Sequence, residues 1–139
     1  MKIKFKKLHP DAVIPEKAHE TDAGFDLYCV ERSIDGDVET CKTGIAVSIP
    51  VGYVGLLFSR SSIYKYDLLQ NNAVGVIDSG YLGDLTFKFR VMQPFMNCYK
   101  VGERVGQLVI MPIPSIELEE VDDLGQSERG NGGFGSSGK

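Results

Sequence analysis

An all-β fold is predicted by three features: strict two-residue alternation, apolar runs of strand length, and turn signals at short intervals between them. Lys2-Ile-Lys-Phe-Lys6 alternates, with Ile3 and Phe5 on one face. Leu85-Thr-Phe-Lys-Phe-Arg-Val91 does the same through Leu85, Phe87, Phe89 and Val91. Successive side chains of a strand point to opposite faces, so a period of two marks half-buried strands. Helical periodicity is not the dominant pattern anywhere.

Taken in order, the strands begin with the alternating N-terminal segment. Apolar runs follow at Ile45-Ala-Val-Ser-Ile49, Val54-Gly-Leu-Leu-Phe58, Ala73-Val-Gly-Val-Ile77 and Val105-Gly-Gln-Leu-Val-Ile-Met111. Turns are marked by Asp35-Gly36-Asp37, Pro50-Val-Gly52, Asp78-Ser-Gly80, Val101-Gly102 and Pro112-Ile-Pro114. Such spacing points to a β-sandwich or barrel. Ser61 to Leu69 is the one stretch that could hold a short helix, capped by Ser61 or Ser62. Ile113 to Val121 reads as a last strand. Glu117, Glu119, Glu120, Asp122 and Asp123 then place five acids in seven positions, the mark of a solvated edge or linker.

The boundary of the folded unit falls near residue 124. Residues 1–124 read as one β domain, and residues 125–139 as a flexible arm. Leu124 and Phe134 stand alone there, and five of the last ten residues are Gly, so the arm cannot pack as a core element. The whole chain has 139 residues, which fits one domain. It is long enough to bury a core without a metal or disulfide staple.

Composition excludes several classes. The chain holds 15 Lys and Arg against 19 Asp and Glu, a net charge of −4, which argues against a partner such as bulk nucleic acid. No apolar run reaches membrane-span length, and the N-terminus lacks the apolar core of a secretion signal. The expectation is a soluble intracellular protein, cytoplasmic or nuclear. Cys29, Cys41 and Cys98 are odd in number and widely spaced, so free thiols are expected in place of a disulfide framework or zinc site. His9 and His19 are too few for a histidine-rich metal site.

The arm matches two phosphate-binding patterns literally. Gly130-Asn-Gly132-Gly-Phe-Gly135 fits G-x-G-x-x-G, and Gly133-Phe-Gly-Ser-Ser-Gly138-Lys139 fits most of a Walker loop. Both motifs work by presenting phosphate to the N-terminus of a following helix. With the sequence ending at Lys139 no helix is expected to follow, so neither motif is expected to apply. The chemistry survives in another form. Glycine lets backbone N–H groups converge on an anion, Ser136 and Ser137 add hydroxyl donors, and Arg129 adds a planar cation. Phe134 has no local apolar neighbour and could close over a flat base.

The order of these residues, Arg129-Gly-Asn-Gly-Gly-Phe-Gly-Ser-Ser-Gly138, resembles the C-terminal signature of the homotrimeric dUTP pyrophosphatases, the dUTPases. Four further segments resemble that family's motifs in order. They are Ala23-Gly-Phe-Asp-Leu27, Arg60-Ser-Ser-Ile-Tyr-Lys65, Asn72-Ala-Val-Gly-Val-Ile-Asp-Ser-Gly-Tyr-Leu-Gly83 and Gly102-Glu-Arg-Val-Gly-Gln-Leu108. The resemblance implies a distorted jelly-roll-like β-barrel or sandwich and a homotrimer with active sites built from several subunits. It also implies hydrolysis of dUTP to dUMP and pyrophosphate with Mg2+ as cofactor, which keeps uracil out of DNA and supplies dUMP.

Residue roles are carried over on the same basis. The resemblance makes Asp78 the general base for water attacking the α-phosphate; taken alone it is a turn-initiating Asp. It places Asn72, Gly75, Tyr81 and Phe134 at the base and sugar. Tyr81 packs beneath the deoxyribose and excludes a 2′-hydroxyl, and the backbone from Asn72 to about Thr86 forms a hairpin that reads uracil. Gly75 permits a close backbone approach, with a bulge as the plain alternative. Arg60, Ser61, Ser62, Gln107, Arg129, Gly135, Ser136 and Ser137 become phosphate ligands. Asp26 acts on Mg2+ indirectly, through water, and Arg104 serves in structural ion pairing. The chain departs from the family pattern at Ser59, Asp67, Gly80, Leu82 and Gly106. Two rivals stay open: a dCTP deaminase-like member of the superfamily, and a non-catalytic nucleotide-responsive regulator on the same scaffold.

Overall fold

Ten strands and one 3-10 helix build the chain in a computed structural model that describes residues 1–92 and 97–138. The strands are β1 (Lys4–Lys7), β2 (Phe25–Tyr28), β3 (Glu31–Asp35), β4 (Val38–Lys42), β5 (Ile45–Ser48) and β6 (Tyr53–Phe58). After the 3-10 helix (Ser61–Lys65) come β7 (Leu68–Gln70), β8 (Gly75–Ile77), β9 (Thr86–Val91) and β10 (Arg104–Pro112). Three antiparallel sheets result, ordered β1-β5, β2-β10-β6-β8 and β3-β4-β9-β7. Consecutive strands β8 and β9 belong to different sheets, so the chain crosses the molecule between them.

Alternation does the work that the sequence promises. Leu85, Phe87 and Phe89 point inward and are fully buried, while Lys88 and Arg90 face out. The Phe87 and Phe89 rings stack with centroids 6.0 Å apart. Leu27, Ile45, Leu57, Val105 and Leu108 complete the core from the other sheets. A Cβ on Gly106 would lie 2.3 Å from the Phe87 ring, so this glycine is fixed by packing, as strand glycines often are.

Three elements differ from the sequence reading. The helix ends at Lys65, because Tyr66 has ψ 155 and the chain turns into β7. Its N-cap position is Arg60, with no side-chain cap bond; Ser61 and Ser62 already lie inside the helix and cannot cap it. Residues 113–121 form no strand. Pro112 and Pro114 interrupt the N–H pattern, and Ile113 makes one bond, donating to Gly52 O at 2.8 Å. Beyond it the backbone has no ladder partner, and Leu118 and Leu124 are 93% and 95% exposed. The β3–β4 hairpin is an addition. Its two-residue turn has Gly36 at φ +58 in the first central place, as a type II′ turn requires.

Cys29 and Cys41 are free and buried, and Cys98 is free and partly buried. Among the described residues no helix is long and apolar enough to cross a membrane.

Candidate active site

Gln107 stands at the centre of the first cluster because β10 is an inner strand of its sheet, between β2 and β6. It pairs across to Asp26 on β2 and to Phe58 on β6. Arg60 lies two residues beyond that pairing, where β6 ends. Asp26, only 18% exposed, meets Arg60 Nε at 3.7 Å and accepts a bond from Arg104 at 3.0 Å. Arg60 also donates to Ser62 Oγ at 3.4 Å. The Gln107 amide donates to Ser59 O at 3.5 Å, and its side chain lies where a Cβ of Gly24 would be. Ser61 stands exposed at the rim. Two guanidiniums share one carboxylate here, leaving a local excess of positive charge that suits an anionic chain.

Asn72 lies on the same side of the molecule. Its Oδ1 accepts from Gln70 Nε2 at 3.4 Å, and Gln70 in turn holds Leu57 O and Ser59 Oγ at 3.0 and 2.7 Å. Ser59 thus takes part in two of the bonds at this end, one through its backbone carbonyl and one through its hydroxyl. Gly75 is not at a bulge: it pairs in regular register with Leu57, whose side chain leaves only 3.0 Å for an added Cβ.

Asp78 is elsewhere. It follows β8, whose register with β6 runs from Gly75 opposite Leu57 to Ile77 opposite Gly55. Asp78 therefore lies beside Val54, in an open cavity of about 310 Å³ with Tyr53, Ser79, Ile113 and Pro114. Six residues of extended chain separate Val54 from Arg60, or about 20 Å. One chain does not bring its Asp78 carboxylate to its own Arg60–Gln107–Asp26 cluster.

Tyr81 follows in the crossing segment, 43% exposed. Its N–H donates to Asp78 O and its hydroxyl to Asp84 O, both at 3.0 Å. The Asn72–Thr86 segment is not a two-stranded hairpin, because β8 pairs with β6 and β9 pairs with β4 and β7. Asp84 is a residue that motif reading missed. Its two carboxylate oxygens accept the N–H groups of Thr43 and Gly44 at 3.1 and 3.0 Å. An acid in Gly83-Asp84 looks like ordinary turn chemistry, so no local signal separates it from other loop acids.

The arm holds only itself. Its described bonds are local turns, such as Gly132 N to Arg129 O and Ser136 N to Gly133 O, both 3.1 Å. Arg129 Nε donates to Gly132 O at 2.9 Å. Gly135 has φ +91, a conformation that glycine adopts freely. Phe134 is fully exposed, and Gly135, Ser136 and Ser137 face solvent with it. The arm is not folded onto either cluster.

For a divalent cation, the described residues hold no group of three or more His, Cys, Asp or Glu that could ligate one. Asp26 offers a single carboxylate already shared by two guanidiniums. That donor suits a hold through water on a cation that takes its other ligands from phosphates.

A family model described as dUTPase matches residues 11–138. The chain belongs to the dUTPase family. A deoxyuridine 5'-triphosphate nucleotidohydrolase of Clostridioides difficile is 40% identical over 98% of this chain and 97% of its own. The dUTPase of Staphylococcus bacteriophage 80alpha, solved with dUPNHPP, superposes with a TM-score of 0.80 at 34% identity, covering 99% of both chains. Phage dUTPases are described there as controlling transfer of virulence genes by a G protein-like mechanism. A variant of the dUTPase from phage phi11 of S. aureus, described as coordinating a structural Mg(II) ion, has a TM-score of 0.76 at 30% identity over 89% of this chain and 99% of its own. The fold shared with these dUTPases is the jelly-roll-like one, and this chain is an enzyme of their hydrolase class.

Proposed function

We propose that this chain hydrolyses dUTP to dUMP and pyrophosphate, with Mg2+ on the substrate phosphates, in sites shared between the copies of a homotrimer. The observation that carries the reading is the separation along β6. The cationic cluster of Arg60, Gln107 and Asp26 lies at one end and the exposed Asp78 at the other. A phosphate chain held at the first end needs a carboxylate from another copy, and an Asp78 standing in an open cavity is free to supply it.

In this reading Asp78 takes a proton from water as the water oxygen attacks the α-phosphorus in line. The new P–O bond forms as the bond to pyrophosphate breaks, giving dUMP. Arg60, Ser61, Ser62 and Gln107 hold the phosphates, and when bound Mg2+ neutralises their charge. Asp26, paired with Arg60 and Arg104, would hold the cation indirectly, through water. Asn72 and the backbone around Gly75 read the uracil edge. Tyr81 lies under the sugar and leaves no room for a 2′-hydroxyl. The arm orders over bound nucleotide, with Phe134 on the base and Arg129, Gly135, Ser136 and Ser137 on the phosphates. Excluding water there strengthens every charge interaction in the site.

Co-assembly of Asp78→Asn with Arg60→Ala tests the shared site. Each variant alone is expected to be nearly silent in pyrophosphate release from dUTP. Mixed equally, they should recover about a quarter of wild-type turnover, since one site in four then draws both intact residues from different copies. A silent mixture of folded, exchanged subunits would refute sharing. The wild type should release pyrophosphate from dUTP and not from dTTP, dCTP or UTP, and should lose activity to chelator. Ammonia from dCTP would instead indicate the deaminase.

A further inference from the structure

We propose that Asp84 is the positioning residue that sets the preference for deoxyribose over ribose, by fixing where Tyr81 can lie. The inference rests on the reading of Tyr81 as the sugar filter. A filter that works by leaving no room for one oxygen atom needs a ring held to within a fraction of an ångström. Tyr81 sits on a loop that crosses between sheets, and the residue is 43% exposed, so burial alone does not hold it.

Two contacts fix the ring, and both lead to one short segment. Its hydroxyl donates to Asp84 O at 3.0 Å. Its edge lies against Gly83, where an added Cβ would come within 2.5 Å of the hydroxyl oxygen. The position of Tyr81 is therefore set by the backbone of residues 83 and 84.

That backbone is clamped by its own carboxylate. Asp84 Oδ1 accepts from Thr43 N at 3.1 Å and Oδ2 from Gly44 N at 3.0 Å. The Thr86 hydroxyl donates to Oδ1 at 3.4 Å. The two amides are themselves held by packing and hydrogen bonds. Gly44 is buried at φ +65, and a Cβ there would meet His9 at 2.7 Å. The buried Thr43 hydroxyl donates to Leu85 O, and Leu85 N donates to Ile45 O, both at 2.8 Å. Leu85 and Ile45 are core residues at 0% and 1% exposure. The loop is thus tied to the β4–β5 turn through two charge-assisted bonds, which are about twice as strong as neutral ones. Only a carboxylate meets two N–H donors with two acceptors. An amide would turn its NH2 group towards one of them.

The test compares kcat and KM for dUTP and UTP in wild type, Asp84→Asn, Asp84→Glu and Tyr81→Phe. Asp84→Asn should cut the dUTP-over-UTP ratio of kcat/KM about tenfold or more, mainly by raising KM for dUTP and admitting UTP, with kcat on dUTP within about threefold of wild type. Asp84→Glu keeps the carboxylate and should restore most of the ratio. Tyr81→Phe leaves the clamp whole and removes only the tie. It should lower the ratio about threefold or more at unchanged melting temperature, and it decides the matter if Asp84→Asn does not fold. An Asp84→Asn enzyme that melts earlier yet keeps the wild-type ratio would make Asp84 merely structural, and an unchanged ratio in Tyr81→Phe would equally overturn the inference. A wild type without preference for dUTP over UTP would instead remove the Tyr81 reading itself.

Discussion

The end of β6 at Arg60 and the arm beyond Gly125 carry parts of the same family signature but are physically unlike. At the first, Asp26, Arg60, Arg104 and Gln107 are partly buried and tied by ion pairs and strand register. At the second, Phe134 and its neighbours touch only their own turns. The difference teaches that motif residues need not be equally built in one chain. One group is positioned by folding; the other is not.

Removing residues 126–139 should break this comparison most visibly. Turnover of dUTP is expected to fall about a hundredfold or more, since closure and phosphate contacts go together. Thermal melting should stay where it is, because the arm is outside the core. A truncated enzyme with full turnover would show that the arm has no part in the reaction. Gly106→Ala probes the opposite region. Its new methyl would meet the Phe87 ring and Phe58 O, and overpacking of that kind costs about 1–3 kcal/mol. Calorimetry should find a clearly lower melting temperature, and an unchanged one would mean that the ring yields freely. Asp26→Asn should cost about 1 kcal/mol of stability, no more than Gly106→Ala, because the side chain keeps its shape and only leaves the partly exposed Arg60 and Arg104 without their shared negative charge. It should also weaken the dependence of turnover on Mg2+ concentration; an identical Mg2+ titration would take Asp26 out of the metal reading.

Much of this architecture is legible in the sequence where a residue's type matches its surroundings. Phe87 and Phe89 alternate with charges, and the strand they define is found. The β3–β4 hairpin is hidden in the sequence because its inward positions carry Glu39 and Cys41 in place of aliphatic residues. Glu39 is fully buried and survives there by pairing with Arg32 at 2.5 Å. Residues 113–121 carry a strand-like pattern, but a strand exists only beside a partner, and one chain supplies none. Motifs mark the candidate site residues, yet motif order does not encode the distance from Asp78 to Arg60. That distance is a property of register between β6 and β8.

Register also fixes which parts of the chain can change length. β6 spans the interval between Asp78 and the Arg60–Gln107–Asp26 cluster, so one residue added within it would turn every later side chain to the opposite face and carry Arg60 away from Gln107. Residues 114–124 make no such pairing and can gain or lose a residue with little consequence for the fold. β6 serves as a gauge block, and the connector to the arm serves as slack rope.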